Sequence, residues 1–146
     1  MGEEIMRRLR FSNDDIEQVL SLIANHMKFK DVEGMRRATL KRFVRLPRFE
    51  EHMALHKLDC LSSHRHLEAY EFVQRFLEET PADQVRPERL LTGEHLIEMG
   101  YRPGPEFSRM LAALEDGQLE GQIRTEEEAR EFVRARFGQT KTAQEK

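Results

Sequence analysis

The chain has 146 residues, enough for one ordinary domain or two small ones. Its 35% of charged residues against 38% of hydrophobic ones is typical of a helical array with a large solvated surface. Cys60 is the single cysteine, which excludes an internal disulfide and a cysteine-based zinc site. Neither a run of about 18 apolar residues nor a signal peptide is present, so we expect a cytoplasmic protein that has no membrane partner.

The first two helices are marked by a break and a cap. A helix is predicted over Glu3–Leu9, and the break at Arg10-Phe11-Ser12 ends it. Ser12 and Asp15 have capping-box spacing, which predicts that a second helix begins at Ser12. Helical spacing gives this second helix one apolar stripe, which we expect to be its buried face. The stripe consists of Ile16, Val19, Leu20, Ile23 and Met27.

Three further helices are predicted before residue 80. A loop over Phe29–Gly34 precedes a short helix with Thr39 as its N-cap and Pro47 as its end. Longer helices are predicted over about 49–63 and 67–79. The expected buried face of the last one consists of Tyr70, Val73, Phe76 and Leu77.

Prolines, glycines and capping residues divide the final third. A short helix is predicted between a cap at Thr92 and a left-handed stop at Gly100. The next helix follows a proline-containing turn and is predicted to end at Gly117. Thr125 and Glu128 form a capping box for the last helix. The predicted buried residues of the last two helices are Phe107, Met110, Leu111 and Leu114, then Ala129, Phe132, Val133 and Phe137.

The net charge of −3 conceals a basic segment, Lys28–Arg48, with eight basic and two acidic residues. From Phe49 onward the chain has 13 basic and 20 acidic residues, so the basic segment predicts one anionic partner at one place. Lys41, Arg45 and Arg48 are spaced to share one helix face that tracks phosphates, although an ordinary solvated face is the alternative. The candidate nucleic-acid contacts are Lys28, Lys30, Arg36, Arg37, Lys41, Arg42, Arg45 and Arg48.

A histidine stripe lies on the helix predicted over 49–63. Its members, His52, His56, Asp59 and Ser63, fall on one line of the helix. Two histidines at this spacing can bind zinc, so His52, His56 and Asp59 are candidate metal ligands. A polar stripe that hydrogen-bonds a neighbouring helix is the favoured interpretation, because no third strong ligand lies nearby in the sequence.

The turn Gly100–Pro105 is a second candidate for nucleic-acid contact. A turn that opens a helix leaves backbone N–H groups pointing outward, which favours an anion. Arg102 and Arg109 add positive charge, and Tyr101 offers a face on which a base can stack. Gly104, in the same turn, is a further candidate contact. The alternative is a connector whose glycines and prolines only set the angle between helices.

Signals of catalysis are missing from the sequence. It has no glycine-rich phosphate loop followed by Lys-Ser or Lys-Thr, and no glycine-serine turn before a paired-aspartate strand. Asp14 and Asp15 are adjacent and begin a helix, where carboxylates favour the helix dipole. We therefore expect no catalytic site on this chain.

Four stretches of the chain combine into one pattern. They are LRFSNDDIEQVLSLIANHM from Leu9, TLKRFVRLPRFEEHMALHKLDCLSSH from Thr39, LLTGEHLIEMGYRPGPEFSRML from Leu90 and EGQIRTEEEAREFV from Glu120. In order and spacing they resemble the C-terminal region of the bacterial tRNA nucleotidyltransferase (CCA-adding enzyme) and poly(A) polymerase family. The resemblance covers about Leu9–Phe137, and its third stretch is the most specific.

The resemblance implies an all-α fold in which part of an HD-like helical domain is followed by a small helical tail. It implies the second half of the HD-like body over 1–80, a linker over 81–88, an RNA-binding tail over 89–138 and a disordered end over 139–146. The chain would then be a fragment that positions the 3′ end of tRNA or another structured RNA. The second expected partner of the chain is the N-terminal head domain of the same parent protein, which is missing here. That domain would add nucleotides with Mg²⁺ and CTP or ATP. No cofactor is expected on this chain itself.

Two departures from the family pattern bear on these expectations. His95 stands where members often carry Asp, which puts a carboxylate contact there in doubt. Leu58 stands where members often carry Ala, which indicates tighter packing under the histidine stripe. Two other functions stay open: part of an HD-type metal-dependent phosphohydrolase, or a helical protein-interaction module.

Overall fold

The computed structural model of the chain describes residues 1–63 and 65–138, and every regular element in these residues is helical. The predicted all-α fold is therefore confirmed, while the expected disordered end over 139–146 lies outside the described residues. The elements are α1 (Gly2–Arg8), α2 (Asn13–Asn25), a 3-10 helix (His26–Gly34), α3 (Arg37–Val44), α4 (Phe49–Ser62), α5 (Glu68–Glu79), α6 (Ala82–Val85), α7 (Gly93–Glu98), α8 (Pro105–Glu120) and α9 (Glu126–Phe137).

The chain divides into two compact units, Met1–Pro81 and Ala82–Lys146. The division falls in the predicted linker over 81–88, part of which forms α6. The assignment of the two parts as an HD-like body and an RNA-binding tail stays a prediction. Across the described ranges, no helix combines the length and the apolar character that crossing a membrane requires.

The predicted caps at Ser12, Gly100 and Thr125 are confirmed. The Ser12 hydroxyl accepts a hydrogen bond from the Asp15 backbone N–H at 3.1 Å, and α2 begins directly after Ser12. Thr125 accepts from the backbone N–H of Glu128 at 3.2 Å at the start of α9. Gly100 has a φ of 91° just after α7, as a left-handed stop requires. These local patterns set where the helices begin and end.

Three expectations for the basic segment are wrong. The stretch expected as a loop over 29–34 belongs to the 3-10 helix, because Phe29 and Val32 both point into the core, and residues three apart align in such a helix. Thr39 is not the N-cap of α3, which begins earlier with Arg36 in that position. The helix also ends at Val44, before Pro47, through turn hydrogen bonds back to its last residues.

The buried face of α2 differs from the predicted one. Ile16 is buried as expected, but Leu20 and Ile23 are exposed, while Gln18 and Asn25 are buried. The polar side of α2 faces α4, which supplies a buried histidine as a hydrogen-bonding partner. The core of this unit is aromatic, with edge-to-face contacts between Phe29 and Phe43 at 5.1 Å and between Phe43 and Phe49 at 5.3 Å. In α5, Val73 is buried, Tyr70 and Phe76 are partly buried and Leu77 is exposed.

The core of the second unit follows the predicted apolar positions of α8 and α9. However, α8 does not end at Gly117 but continues to Glu120, and Gly121, with a φ of 78°, terminates it. Gly117 is a glycine for a packing reason: a Cβ there would lie 2.5 Å from Cδ1 of Ile123. The buried residues of this core are Leu91, Leu96, Tyr101, Met110, Leu114, Ile123, Ala129 and Val133.

The close approach of Ile123 to Gly117 gives a stability prediction. We expect Gly117→Ala to lower the free energy of unfolding by about 1 kcal/mol, because overpacking of about 1–3 kcal/mol exceeds the roughly 1 kcal/mol gained by replacing a helical glycine. Gly104→Ala is the matched control, since a Cβ at Gly104 meets nothing nearer than 3.9 Å and its φ of 176° is extended. Urea unfolding of both variants tests this, and equal stability of the two would contradict it.

Candidate nucleic-acid interface

The exposed part of the basic segment lies at its beginning. Lys28 and Lys30 project from the 3-10 helix, and Arg36 and Arg37 occupy the N-cap and the first residue of α3. All four side chains are exposed. We call Lys28, Lys30, Arg36 and Arg37 the exposed basic stretch. It is carried by two consecutive elements of the first unit and is accessible to an anionic partner.

The predicted cationic face of α3 does not form. Lys41 is 3% exposed, on the side of α3 that also buries Leu40 and Val44. Arg45 is the C-cap of α3, and Arg48 lies beyond it as the N-cap of α4. A face at i, i+4 and i+7 needs a helix that spans all three residues, and α3 ends too early. Arg42 and Arg45 are partly buried.

Arg48 is exposed, but its guanidinium forms ion pairs with two carboxylates of the first unit. Its Nη1 lies 3.3 Å from Oδ1 of Asp15, and its Nε donates to Glu51 at 2.7 Å. Hydrogen bonds from Ser12 and Arg48 lower the pKa of the Asp15 carboxyl, and the bond to Glu51 raises the pKa of the Arg48 guanidinium. Arg48 also has a φ of 49°, in the left-handed region. Its geometry is that of a link between α2 and α4.

The turn in the second unit keeps two of its predicted cations on the surface. Arg102 and Arg109 are exposed, as is Gly104. Tyr101 was expected to offer a stacking face, and this is wrong: its side chain is 6% exposed and belongs to the core, and its hydroxyl donates to the Gly138 carbonyl. A small core needs large apolar side chains, so the ring is used for packing.

His95 has a definite role at the start of α7. Its Nδ1 accepts a hydrogen bond from the Thr92 backbone N–H at 3.0 Å. An acidic or amide side chain commonly makes this reciprocal capping contact. The imidazole therefore makes the contact that an acidic side chain would make at this position, and the cap is formed.

The histidine stripe is a packing and hydrogen-bonding feature of α4. His52 is 1% exposed, with Nε2 3.4 Å from the Ser21 hydroxyl and with Nδ1 lacking a hydrogen-bond partner. The His56 ring stacks on Phe29 at 4.2 Å between centroids, whereas Asp59 is exposed. In residues 1–63 and 65–138, no three His, Cys, Asp or Glu side chains are arranged to hold a metal ion. The favoured interpretation, a stripe bonded to a neighbouring helix, fits this geometry.

Burial controls the titration of two side chains on α4. Burial lowers the pKa of the His52 imidazole, with a smaller opposing effect from Glu51. Burial also raises the pKa of the Cys60 thiol, whose sulfur lies 3.5 Å from Nε2 of His56. Both groups are therefore held in their neutral forms.

Sequence reasoning missed the polar side of α2, although a pattern for it is present. Gln18, Ser21 and Asn25 are spaced at i, i+3 and i+7, which places them on one helix face. The Gln18 side-chain amide reaches the Arg48 carbonyl at 3.5 Å, and Ser21 reaches His52. A polar stripe of this regularity opposite an apolar one marks a helix with two contact faces.

Known proteins resemble the chain over most of its length. Residues 2–133 match the family model described as tRNA nucleotidyltransferase domain 2, putative. The chain is 36% identical over 140 residues to the CC-adding tRNA nucleotidyltransferase of Thermus thermophilus, covering 91% of this chain and 32% of that protein. It is 24% identical over 135 residues to the CC-adding tRNA nucleotidyltransferase of Synechocystis, covering 88% and 32%.

A third relative is an A-adding enzyme. The chain is 29% identical over 143 residues to the A-adding tRNA nucleotidyltransferase of Deinococcus radiodurans, covering 89% of this chain and 32% of that protein. The chain thus spans about a third of the length of these relatives. No solved structure matches it significantly.

The buried imidazole of His52 predicts a pH dependence of stability. Because the folded-state pKa lies below the ordinary value of 6.5, the stability contributed by neutral His52 is present above pH 6.5. It is lost as the pH falls from there towards the lowered value, by about 1.4 kcal/mol for each unit of lowering. Urea unfolding between neutral pH and pH 5 measures this loss.

Variants separate His52 from other titrating groups. His52→Gln should lower the free energy of unfolding at neutral pH by about 1–3 kcal/mol and remove the dependence in this window. His66→Gln, at an exposed position, should retain it. Asp15 titrates below its ordinary value of 3.8 and lies outside the window. An unchanged pH profile in His52→Gln would contradict the assignment.

Proposed function

The chain belongs to the tRNA nucleotidyltransferase domain 2 family, and on that basis we propose that it binds tRNA and positions the 3′ end for nucleotide addition at an active site outside this chain. The observation that carries the proposal is the exposed basic stretch on an otherwise acidic chain. Phosphates are the anions that a row of exposed Lys and Arg side chains binds with least demand on sequence. tRNA presents them in a fixed, folded arrangement.

The relatives support a role in holding RNA. The chain is similar to one region of two CC-adding enzymes and of one A-adding enzyme. A region shared by enzymes that add different nucleotides fits a step that these enzymes have in common, and each of them must hold tRNA. Double-stranded RNA is recognised mainly by shape and by its backbone, which agrees with a surface of exposed Lys and Arg side chains.

The second unit contributes separately. Arg102 and Arg109 are exposed there, and Gly104 leaves the turn accessible. We propose that these residues make a weaker phosphate contact than the exposed basic stretch, since only two cations are involved and the unit is otherwise rich in acids. The nucleotide chemistry, with Mg²⁺ and CTP or ATP, belongs to the active site outside this chain.

The main test is a charge reversal on the first unit. We expect Lys28→Glu with Lys30→Glu and Arg37→Glu to weaken tRNA binding at low salt at least about tenfold and to flatten its salt dependence. The log–log slope should fall by about 0.7–0.9 for each phosphate that the variant no longer binds. Fluorescence anisotropy over a salt series measures both effects. These three cations are exposed, whereas reversal of Lys41 would put a charge of the wrong sign in the core.

The control uses exposed cations outside the basic segment. Lys57→Glu with Arg75→Glu changes exposed residues of α4 and α5 and should weaken binding much less. Arg102→Glu with Arg109→Glu should weaken it modestly, and its effect should add to that of the triple variant because the sites lie in different units. Unchanged affinity in the triple variant at low salt would remove the RNA-holding role from the basic segment.

A second test concerns catalysis. The sequence has no nucleotide-binding loop, and the described residues contain no group of three or more His, Cys, Asp or Glu side chains placed to hold a metal ion. We expect the pure chain to add no nucleotide to tRNA lacking its CCA end in the presence of CTP, ATP and Mg²⁺. Extension seen on a denaturing gel with a rigorously purified sample would overturn the proposal.

A further inference from the structure

A cavity of about 440 Å³ opens beside α2 in the first unit. Residues of α2 line it on one side, and the segment that connects α3 to α4 lines it on the other. The four α2 residues are spaced at i, i+3, i+4 and i+7, so they follow one face of the helix. The residues that line the cavity are Asp14, Glu17, Gln18, Ser21, Pro47 and Arg48.

Two carboxylates of the cavity are available to a ligand. Asp14 and Glu17 are exposed, and in the part of the chain that the structure describes neither has an ion-pair or hydrogen-bond partner. Arg48 does not neutralise them, because its guanidinium is held by Asp15 and Glu51. The lining therefore carries an excess of negative charge, which favours a cation and repels phosphate.

A buried amide on the cavity wall lacks a donor. Gln18 is 5% exposed, and its Nε2 donates to the Arg48 carbonyl at 3.5 Å, which is long for a hydrogen bond. Within residues 1–63 and 65–138, no donor reaches the Oε1 of Gln18. Buried polar atoms are nearly always hydrogen-bonded. Because Gln18 lines the cavity, the missing donor is one that a bound group can supply.

The charge and the donors that fit the cavity are those of an arginine side chain. A guanidinium has five N–H donors in one plane and a permanent positive charge, so it can serve two carboxylates and an amide oxygen together. The adjacent carboxylates already hold such a group, since the Arg48 guanidinium lies between Asp15 and Glu51, with Nη1 3.3 Å from Oδ1 of Asp15. The exposed ring of Pro47 offers an apolar wall to the aliphatic stem of a bound arginine.

We propose that this cavity binds an arginine side chain of a partner polypeptide. The carboxylates of Asp14 and Glu17 accept hydrogen bonds from its guanidinium, and the Oε1 of Gln18 accepts a further N–H. Four of the six lining residues are exposed, whereas free small molecules bind in deep clefts that bury most of their surface. A shallow site suits a side chain that projects from a larger surface. The proposal does not rest on the proposed RNA function, because a negative lining disfavours phosphate.

The first experiment titrates the isotope-labelled full chain with arginine blocked at both ends, N-acetyl-arginine N-methylamide, and follows the backbone amide shifts by NMR. We expect saturable shifts confined to the residues around the cavity, with a dissociation constant on the order of 1 mM for so small a ligand. Blocked citrulline, which has the same shape without the charge, should bind at least about tenfold more weakly. Blocked lysine, which has the charge without the planar fork, should bind at least about threefold more weakly.

The second experiment repeats the blocked-arginine titration with variants of the cavity. Asp14→Asn with Glu17→Gln should raise the dissociation constant at least about tenfold, because both charged acceptors are lost. Gln18→Met keeps a similar volume without the amide oxygen and should raise it about threefold. The matched control is Glu71→Gln with Glu79→Gln, which removes two exposed carboxylates of α5 outside the cavity and should leave binding unchanged. Circular dichroism checks that each variant is folded.

Several results would contradict the proposal. Equal weakening by the two double variants, or equal binding of blocked arginine and blocked citrulline, means that no charge-specific site is present and overturns it. Blocked lysine that binds as tightly as blocked arginine overturns the assignment to arginine. Binding of agmatine, a free guanidino compound, without binding of blocked arginine overturns the polypeptide as the source. The absence of saturable shifts with every one of these ligands removes the site altogether.

Discussion

The polar contact between α2 and α4 determines the arrangement of the first unit. The Ser21 hydroxyl lies 3.4 Å from Nε2 of His52, and Arg48 joins the two helices through Asp15 and Glu51. Hydrogen bonds depend on direction, whereas apolar packing does not, so these contacts fix the rotation of α2 about its own axis. With the polar side held inward, Leu20 and Ile23 of the apolar stripe are left exposed, while Ile16 remains buried. The buried imidazole is neutral because burial disfavours its charged form.

The same contact explains which parts of the fold could be predicted from the sequence. The caps at Ser12 and Thr125 were predictable because a cap depends on residues three positions apart. The face that α2 buries was not predictable, since the helix carries an apolar and a polar stripe that are both regular. Which stripe turns inward depends on His52, which is 31 positions from Ser21 in the chain. A local pattern contains no information about a partner at that distance. The prediction for Gly117 was wrong for a related reason, because its neighbour Ile123 lies beyond the helix end.

For the candidate site, composition indicates a basic region of the chain, and the fold decides which of its side chains are exposed. The excess of cations over Lys28–Arg48 is a property of the sequence and survives folding. The assignment of Lys41 to an exposed face assumed a helix long enough to reach Arg48, and α3 ends at Val44. Tyr101 was assigned to the surface because aromatic residues in turns can stack on bases, yet the small second unit uses the ring in its core. In each case the competing demand was the burial of apolar surface.

The start of α3 shows an electrostatic feature that such burial does not explain. Arg36 and Arg37 stand at its N-terminal end, where the helix dipole favours negative charge, and the Arg36 side chain has no oxygen to accept an N–H of the first turn. Lys41 and Arg42, in the last turn, agree with the dipole. A chain selected for helix stability alone would place an acidic or hydroxyl residue at the position of Arg36. A bound phosphate would reverse the local disadvantage, because it interacts favourably with both guanidinium groups and with the helix N-terminus. Departures from the usual capping and dipole preferences of helices are found most often at functional positions. The placement of Arg36 and Arg37 at the start of α3 therefore supports the proposed contact with RNA over an ordinary solvated face.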